Sequence, residues 1–594
     1  MCLIIAIKHQ ARWGLRCHSR NICEMSAVER TFLAAYLFCL FGCSSDHESG
    51  PTEIADHVFI NGGVYTLNPA EPWAQAVAIV EKRVRMVGGN AEVEKLIGPQ
   101  TVVIDLKNRM LLPGFGDSHI HLLYGGDSIS RCDLNYVEAS AEIRRILLEC
   151  AETLNVSEGD WLIATDWARA AFPEGSPPSE FLNHLFPNLP VVVKSSDAHS
   201  IWVNQVVLDI VGIDENSEDP QNGKIERHPI TGKPTGLLHE RAIQLVEFAE
   251  PSSSREQRLR YILKATKRAL EFGITSAIEP GLNLEQAELF KELDQLGELN
   301  MRVLAALTPL GLTLGSFDEN VYLTLSKRPD LETPNFKPNS VKFFVDGVID
   351  NGTAPLLAPY LQNSIVPLNT FYSVEELTDF FIAFDKTGIS IHVHAIGDLG
   401  IRKTLDAFAA MRKTNGRSDR RHVMTHLQLV DKKDLERFAK LHIIASFSTL
   451  WAYPESYNLT IYPRLIGFER VNRFYPIASI MESGARIVIG SDWPITDMNP
   501  FPAIEVAITR KDPYSNQGPA HNPSQRIDLA SVLKAYTLNV AYAMGLENEL
   551  GSIEVGKLAD LAVLDRNLFE IPVSQISDTQ VQLTMFNGNV VFER

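Results

Sequence analysis

Leu112-Pro113-Gly114-Phe115-Gly116-Asp117-Ser118-His119-Ile120-His121-Leu122 is the stretch on which the reading of this chain turns. A short apolar run, Met110-Leu111-Leu112, meets a Pro-Gly break, and two histidines follow at spacing i, i+2. On an extended segment, residues two apart face the same side. His119 and His121 can therefore offer neutral ring nitrogens to one cation. His-x-His pairs also occur as ordinary surface or core residues. Here the pair follows a strand and a turn, and other polar residues end later strands, which favours a metal site.

Downstream, short apolar runs alternate with helical stretches, the pattern of a parallel sheet. Eight runs qualify: residues 110–112, 273–278, 301–307, 341–345, 389–394, 422–426, 442–447 and 486–490. Eight is the number that closes a (β/α)8 barrel. Polar side chains near the C-terminal ends of barrel strands converge on the mouth and read as catalytic. Lys342 lies in the fourth run, early within it. His392 and His394 lie in the fifth, His422 and His426 in the sixth, and Asp492 follows the eighth in Gly490-Ser491-Asp492-Trp493-Pro494. Parity puts His392 on the same side as His394, and His422 on the same side as His426. The later member of each pair lies nearer the mouth, so His394 and His426 are the expected ligands and the earlier two are expected to support or pack.

The gap of about 150 residues between the first two runs exceeds any ordinary loop. It predicts a subdomain over about 127–250, with its own strand at 190–194, inserted on the catalytic face. The two chain ends look alike. At 57–112, Asn61-Gly62-Gly63 predicts a hairpin, and 76–88 and 101–112 predict two more strand pairs. At 543–594, the strands 559–564 and 584–592 carry a second Asn-Gly turn, Asn587-Gly588. Neither end can bury a core alone, so both are expected to join in one small β-sandwich. The predicted fold class is α/β: a TIM barrel at 113–542, a β-sandwich from both chain ends, and the insertion after the first barrel strand.

Hydrophobic residues make up 45% of the 594 and charged residues 22%, as in globular enzymes. The net charge of −18 argues against a nucleic-acid partner. Residues 32–42 form an apolar run too short for a bilayer span, which needs roughly 20 residues, but sized for a signal peptide. It ends at Cys43, ahead of the polar stretch 44–51, as in a bacterial lipoprotein signal, although Phe41 replaces the usual small residue. Residues 1–56 are thus expected to be leader, signal and tether, with Cys43 lipidated and the enzyme anchored on the periplasmic side. The basic segment before Met25 places the expected translation start at Met25. A cytoplasmic enzyme with a disordered leader is the alternative. Five of the seven cysteines lie in this leader, leaving only Cys132 and Cys150, which can pair in an oxidising compartment.

Together these residues resemble the amidohydrolase superfamily, and within it the amidohydrolase-3 branch that includes N-substituted formamide deformylases. The likeness covers nearly the whole chain after the tether. It rests on residues 112–122, Ser-Asp-Ala-His-Ser-Ile-Trp-Val-Asn at 196–204, Val-Lys-Phe-Phe-Val-Asp-Gly at 341–347, His-Ala-Ile-Gly-Asp at 394–398, Arg-His-Val-Met-Thr-His at 421–426, Gly-Ser-Asp-Trp-Pro at 490–494 and the run 551–563. The resemblance implies that His119 and His121 bind the more buried metal and that His394 and His426 bind a second. Lys342, carbamylated by carbon dioxide, would bridge the two, and Asp492 would ligate the first and shuttle the proton. Zinc is the first choice, with iron and manganese open. His199 and Trp493 are candidate substrate contacts, and Trp167 and Trp202 either line the pocket or pack. The implied activity is metal-dependent hydrolysis of a non-peptide C–N bond, in an amide, N-formyl or cyclic amide, by metal-activated water. A deaminase or dipeptidase-like member of the fold, or an inactive lipid-anchored binding protein, is the alternative. The expected partner is a small amide-like molecule, and a homo-oligomer is left open.

Overall fold

A computed structural model describes residues 54–594, apart from 135–136, 155–159, 173–176, 179, 198, 252, 309–325, 363–368 and 516. The expectations for Met25, Cys43 and the leader lie outside the described residues. Among the described residues, no helix is long and apolar enough to cross a membrane.

Eight parallel strands run in chain order: β1 (Phe115–Asp117), β2 (Ile274–Leu282), β3 (Arg302–Leu307), β4 (Phe336–Phe344), β5 (Ser390–Ala395), β6 (Val423–His426), β7 (Ile444–Phe447) and β8 (Ile487–Ile489). Both faces are covered, which is why runs such as Ile487–Ile489 are apolar throughout. Alternation still sorts the side chains. Phe343 packs outward on Phe380, Phe381 and Phe384 of the helix Val374–Lys386, whereas Phe344 meets His394 within. Pairing sets Lys342 opposite His392, Phe344 opposite His394 and Ala395 opposite His426. The ring closes through backbone bonds from Ser118 N–H to the Ile489 carbonyl (3.1 Å) and from Asp492 N–H to the His119 carbonyl (2.7 Å).

Three local expectations are corrected. Met110–Pro113 is not the first barrel strand. It pairs with Gly63–Tyr65 and Leu561–Leu564, and the barrel begins at Phe115. The apolar run is continuous in sequence, but Gly114, where any side chain would collide with Thr275, passes the chain from one sheet to the next. Asn61-Gly62 does not close a hairpin either, since His57–Ile60 and Gly63–Tyr65 belong to different sheets. Nor do 101–112 form a pair, because Val102–Asp105 lies beside His57–Ile60 in the other sheet. In addition, β4 starts at Phe336 rather than 341, so Lys342 sits near the C-terminal end of its strand and not early in it.

The chain ends do share a sheet, ordered Asn589–Glu593, Val581–Phe586, Leu561–Leu564, Met110–Pro113, Gly63–Tyr65, Trp73–Ala74. Asn587 and Gly588, at φ 51° and 75°, make the tight hairpin that Asn-Gly favours. A four-stranded sheet from 57–105 packs against it over Phe59, Val77, Leu111, Leu561 and Met585. Between β1 and β2 lies a third, six-stranded sheet that includes Val191–Ser195, Ser200–Val203 and Pro234–Glu240. Trp167 and Trp202 are buried in its core, and Cys132 and Cys150 form a disulfide there.

Arg302 at the start of β3 joins barrel to sandwich. Its guanidinium bonds Asp560 (2.9 Å) and Asn587 (2.6 Å), all largely out of solvent. Replacing Arg302 with Met strands the Asp560 carboxylate. The expected loss is about 3–5 kcal/mol, read from denaturant midpoints; a loss below about 1 kcal/mol would show that the pair behaves like an exposed one.

Candidate metal centre

The residues singled out from sequence meet at the C-terminal mouth of the barrel. Asp117, the last residue of β1, accepts the His119 N–H (3.0 Å) and the Ser491 N–H (3.1 Å). One carboxylate thus ties the loop after β1 to the loop after β8. A side chain at Gly490 would lie 2.5 Å from the His119 nitrogen, so the two loops can approach only with glycine there. His426 and Asp492 hold φ of 74° and 59°, strained for residues with a Cβ. Such conformations cost of order 1–3 kcal/mol each and persist where the surroundings dictate them, often at functional sites.

The distances define a cluster. Asp492 Oδ1 lies 3.2 Å from His121 Nε2 and 3.5 Å from His119 Nε2, and Oδ2 lies 3.6 Å from His426 Nδ1. The ligand atoms of His119, His121 and Asp492 all fall within 4.8 Å of one another. Lys342 Nζ lies 3.4 Å from His119 Nε2 and 4.7 Å from the centre of the Phe344 ring. The His394 and His426 rings are 4.5 Å apart. His394 places Nε2 3.3 Å from the Gly347 carbonyl. His392 supports His119 through a 2.8 Å contact between Nε2 and Nδ1, and His422 bonds Asp385 and the Ile391 N–H away from the mouth. His394 and His426 reach the mouth while His392 stands behind His119, but the parity expectation for the sixth strand is corrected: His422 packs outward against Phe408 and Asp385 of the covering helices instead of sharing the side of His426.

The electrostatics fit a cation. Burial, with the Lys342 charge and neighbouring histidines adding to it, holds His119, His392, His394 and His426 well below the usual imidazole range. They are neutral at pH 7, as ligand nitrogens must be. Among the described residues, buried His426 Nδ1 has no hydrogen-bond partner, as suits an atom that can ligate a cation. Burial, opposed by Asp492, brings the Lys342 ammonium down to about 7, so an uncharged amine is accessible near neutrality. Two carboxylates were missed by the sequence reading although both lie inside the quoted motifs. Asp117 is pushed up to about 7 and Asp346 to about 8 by burial, and Asp346 caps the Ile396 and Gly397 N–H groups beside His394. Glu279 of β2, also missed and also raised by burial, accepts the Leu122 N–H.

A cavity of about 360 Å³ opens on this cluster. Its walls include Phe344, Val348, Ile396 and Trp451 from the barrel and Lys194, His199, Ile201, Glu240 and Ile243 from the inserted sheet. Trp451 lies parallel to the His426 ring at 5.5 Å. His199 reaches the pocket and bonds Glu240 (2.9 Å); burial alone would lower its pKa, but the carboxylates of Glu240, Asp197 and Asp350 together carry it up to about 9. Trp493 is not a pocket residue. It is 2% exposed and packs where a side chain at Gly125 would collide with its ring, while Trp451 takes the aromatic position at the pocket. Trp451 carries no local motif; only its place just beyond β7 marked it.

Comparison with known proteins agrees with this geometry. Residues 102–592 match the Amidohydrolase family. Protein LONG AFTER FAR-RED 3 of Arabidopsis thaliana is 30% identical over 87% of this chain and 88% of its own. The N-substituted formamide deformylase of Arthrobacter pascens is 26% identical over 91% of this chain and 99% of its own. Among solved structures, a metal-dependent hydrolase of Pyrococcus horikoshii shares the fold with a TM-score of 0.67 at 22% identity, covering 87% of this chain and 99% of the other. With most of its length matched and its histidines and aspartate gathered at the barrel mouth, the chain belongs to the amidohydrolase family.

Proposed function

We propose that this protein hydrolyses a non-peptide C–N bond in a small amide, N-formyl compound or cyclic amide, with the cation held by His119, His121 and Asp492. The observation that carries the reading is the convergence of those three side chains, within 4.8 Å, on the wall of a largely apolar cavity. When bound, a divalent cation lowers the pKa of water from about 15.7 to roughly 7 and polarises a carbonyl oxygen. Zinc suits the imidazole-rich set. His394 and His426 supply two further nitrogens, and a carbamate on Lys342 would replace an amine with carboxylate-like oxygens and complete a second site.

The chain's own groups do the rest. Asp492, beside both His119 and His121, takes the proton from water and hands it to the departing nitrogen. His199 faces the substrate oxygen from the inserted sheet. Ile201, Ile243, Val348 and Trp451 exclude bulk water and receive the apolar part of the substrate. The name of the Arthrobacter pascens relative makes N-substituted formamides the first compounds to screen.

We propose also that the enzyme is lipid-anchored at Cys43 in an oxidising compartment, a reading supported by the Cys132–Cys150 disulfide. Intact-mass analysis is expected to show a chain beginning at an acylated Cys43; an unmodified Cys43 in the mature protein would end this part of the proposal.

Three experiments test the chemistry. Elemental analysis of protein prepared with bicarbonate is expected to give two metals per chain, and one for Lys342→Ala or for carbonate-free protein. His119→Ala is expected to lose the metal and at least about a hundredfold in kcat/KM; a folded variant that keeps both would refute the metal site. Asp492→Asn is expected to lower kcat by about 10²–10⁴, and a loss of less than threefold would remove Asp492 from proton transfer.

A further inference from the structure

Glu240 ends the strand Pro234–Glu240 of the inserted sheet with φ 53° and ψ −127°, a conformation that a residue with a side chain rarely holds. Its side chain is entirely out of solvent. The two carboxylate oxygens reach opposite ways. Oε2 takes His199 Nδ1 at 2.9 Å, and Oε1 accepts the Thr353 hydroxyl at 2.6 Å. Thr353 Oγ1 in turn accepts the Val348 N–H at 2.9 Å. That bond fixes the loop after β4, whose Gly347 carbonyl faces His394 Nε2. A side chain at Gly347 would collide with Glu240 Oε1, so the loop and the carboxylate are fitted to each other.

His199 has one ring nitrogen committed to Glu240, and its ring lies 5.3 Å from that of His394 at the pocket wall. Only Nε2 is left to meet a substrate. A single buried carboxylate therefore sets the aim of the inserted sheet's contribution to the pocket and the loop behind a barrel histidine.

We propose that Glu240 is a positioning residue of the active site: anchored by Thr353, it holds His199 so that Nε2 addresses the substrate oxygen. This rests on the hydrolase reading given above. It assigns the strained backbone at 240 a purpose, since the unusual dihedrals turn the carboxylate inward, where Thr353 anchors one oxygen and the other is left to hold His199.

The test is a double-mutant cycle with Glu240→Gln, His199→Gln and the double variant, using N-substituted formamides and the zinc-loaded enzyme. Each single variant is expected to keep the wild-type melting temperature and metal content. Each is expected to lose about 10–100-fold in kcat with KM changed less than threefold. The double variant is expected to be no slower than His199→Gln alone, because Glu240 acts through His199. Losses that multiply, or a Glu240→Gln enzyme within twofold of wild type, would overturn the proposal. A second readout needs no turnover. Proton NMR of the metal-free protein is expected to show a downfield imidazole N–H signal that disappears in both single variants. Its absence from the wild type, or its survival in Glu240→Gln, would overturn the positioning role even if no amide is turned over. Failure of the hydrolase reading would instead appear as an inactive wild type that retains this signal.

Discussion

The seam between the first and last barrel strands is the constraint from which the site follows. Ser118 bonds Ile489, Asp492 bonds His119, and the Asp117 carboxylate takes an N–H from each loop. These bonds leave little freedom in where His119, His121 and Asp492 stand. The strained φ of Asp492 is the local consequence: the chain leaves β8 through Gly490 and must turn at once to bring a carboxylate over the histidines. The closure that completes the barrel is therefore also what assembles the ligands, and no separate element is needed to place them.

Burial governs the chemistry of what the seam assembles. Neutral imidazoles, an amine brought down to about 7 and carboxylates raised toward neutrality share one dry wall. Leaving a polar atom such as His426 Nδ1 unbonded in such a place is costly. A cation bound there would offset that cost by using the open lone pair. The same dryness strengthens each short-range contact, including the Glu240 carboxylate that fixes His199.

Much of this was legible in the chain before any coordinates. His-x-His after a Pro-Gly break, histidines at strand ends and Gly-Ser-Asp after the last strand are local patterns; pleat parity held for His392 and His394 but not for His422, which precedes its strand and packs outward. The misreadings have a common cause. Met110–Pro113 and β1 form one apolar run, and the Asn61-Gly62 turn has hairpin chemistry, yet both mark places where the chain changes sheets. Sequence reports a turn but not the partner strand. Lys342 looked early in its strand because Phe336–Ser340 carries Lys337, Pro338 and Asn339, which do not read as strand. Glu240 was out of reach, since its importance comes from His199 and Thr353, 41 and 113 residues away, and Trp451 had only its position just beyond a strand end to mark it.

The barrel gathers the residues that can hold a cation, and the inserted sheet lines the cavity that leads to them. The central claim remains the cation itself. Anomalous diffraction from crystals of the zinc-loaded protein tests it most directly. The account requires a peak within bonding distance of His119, His121 and Asp492. A peak only elsewhere, or an ordered pocket with no peak under saturating zinc, would contradict it.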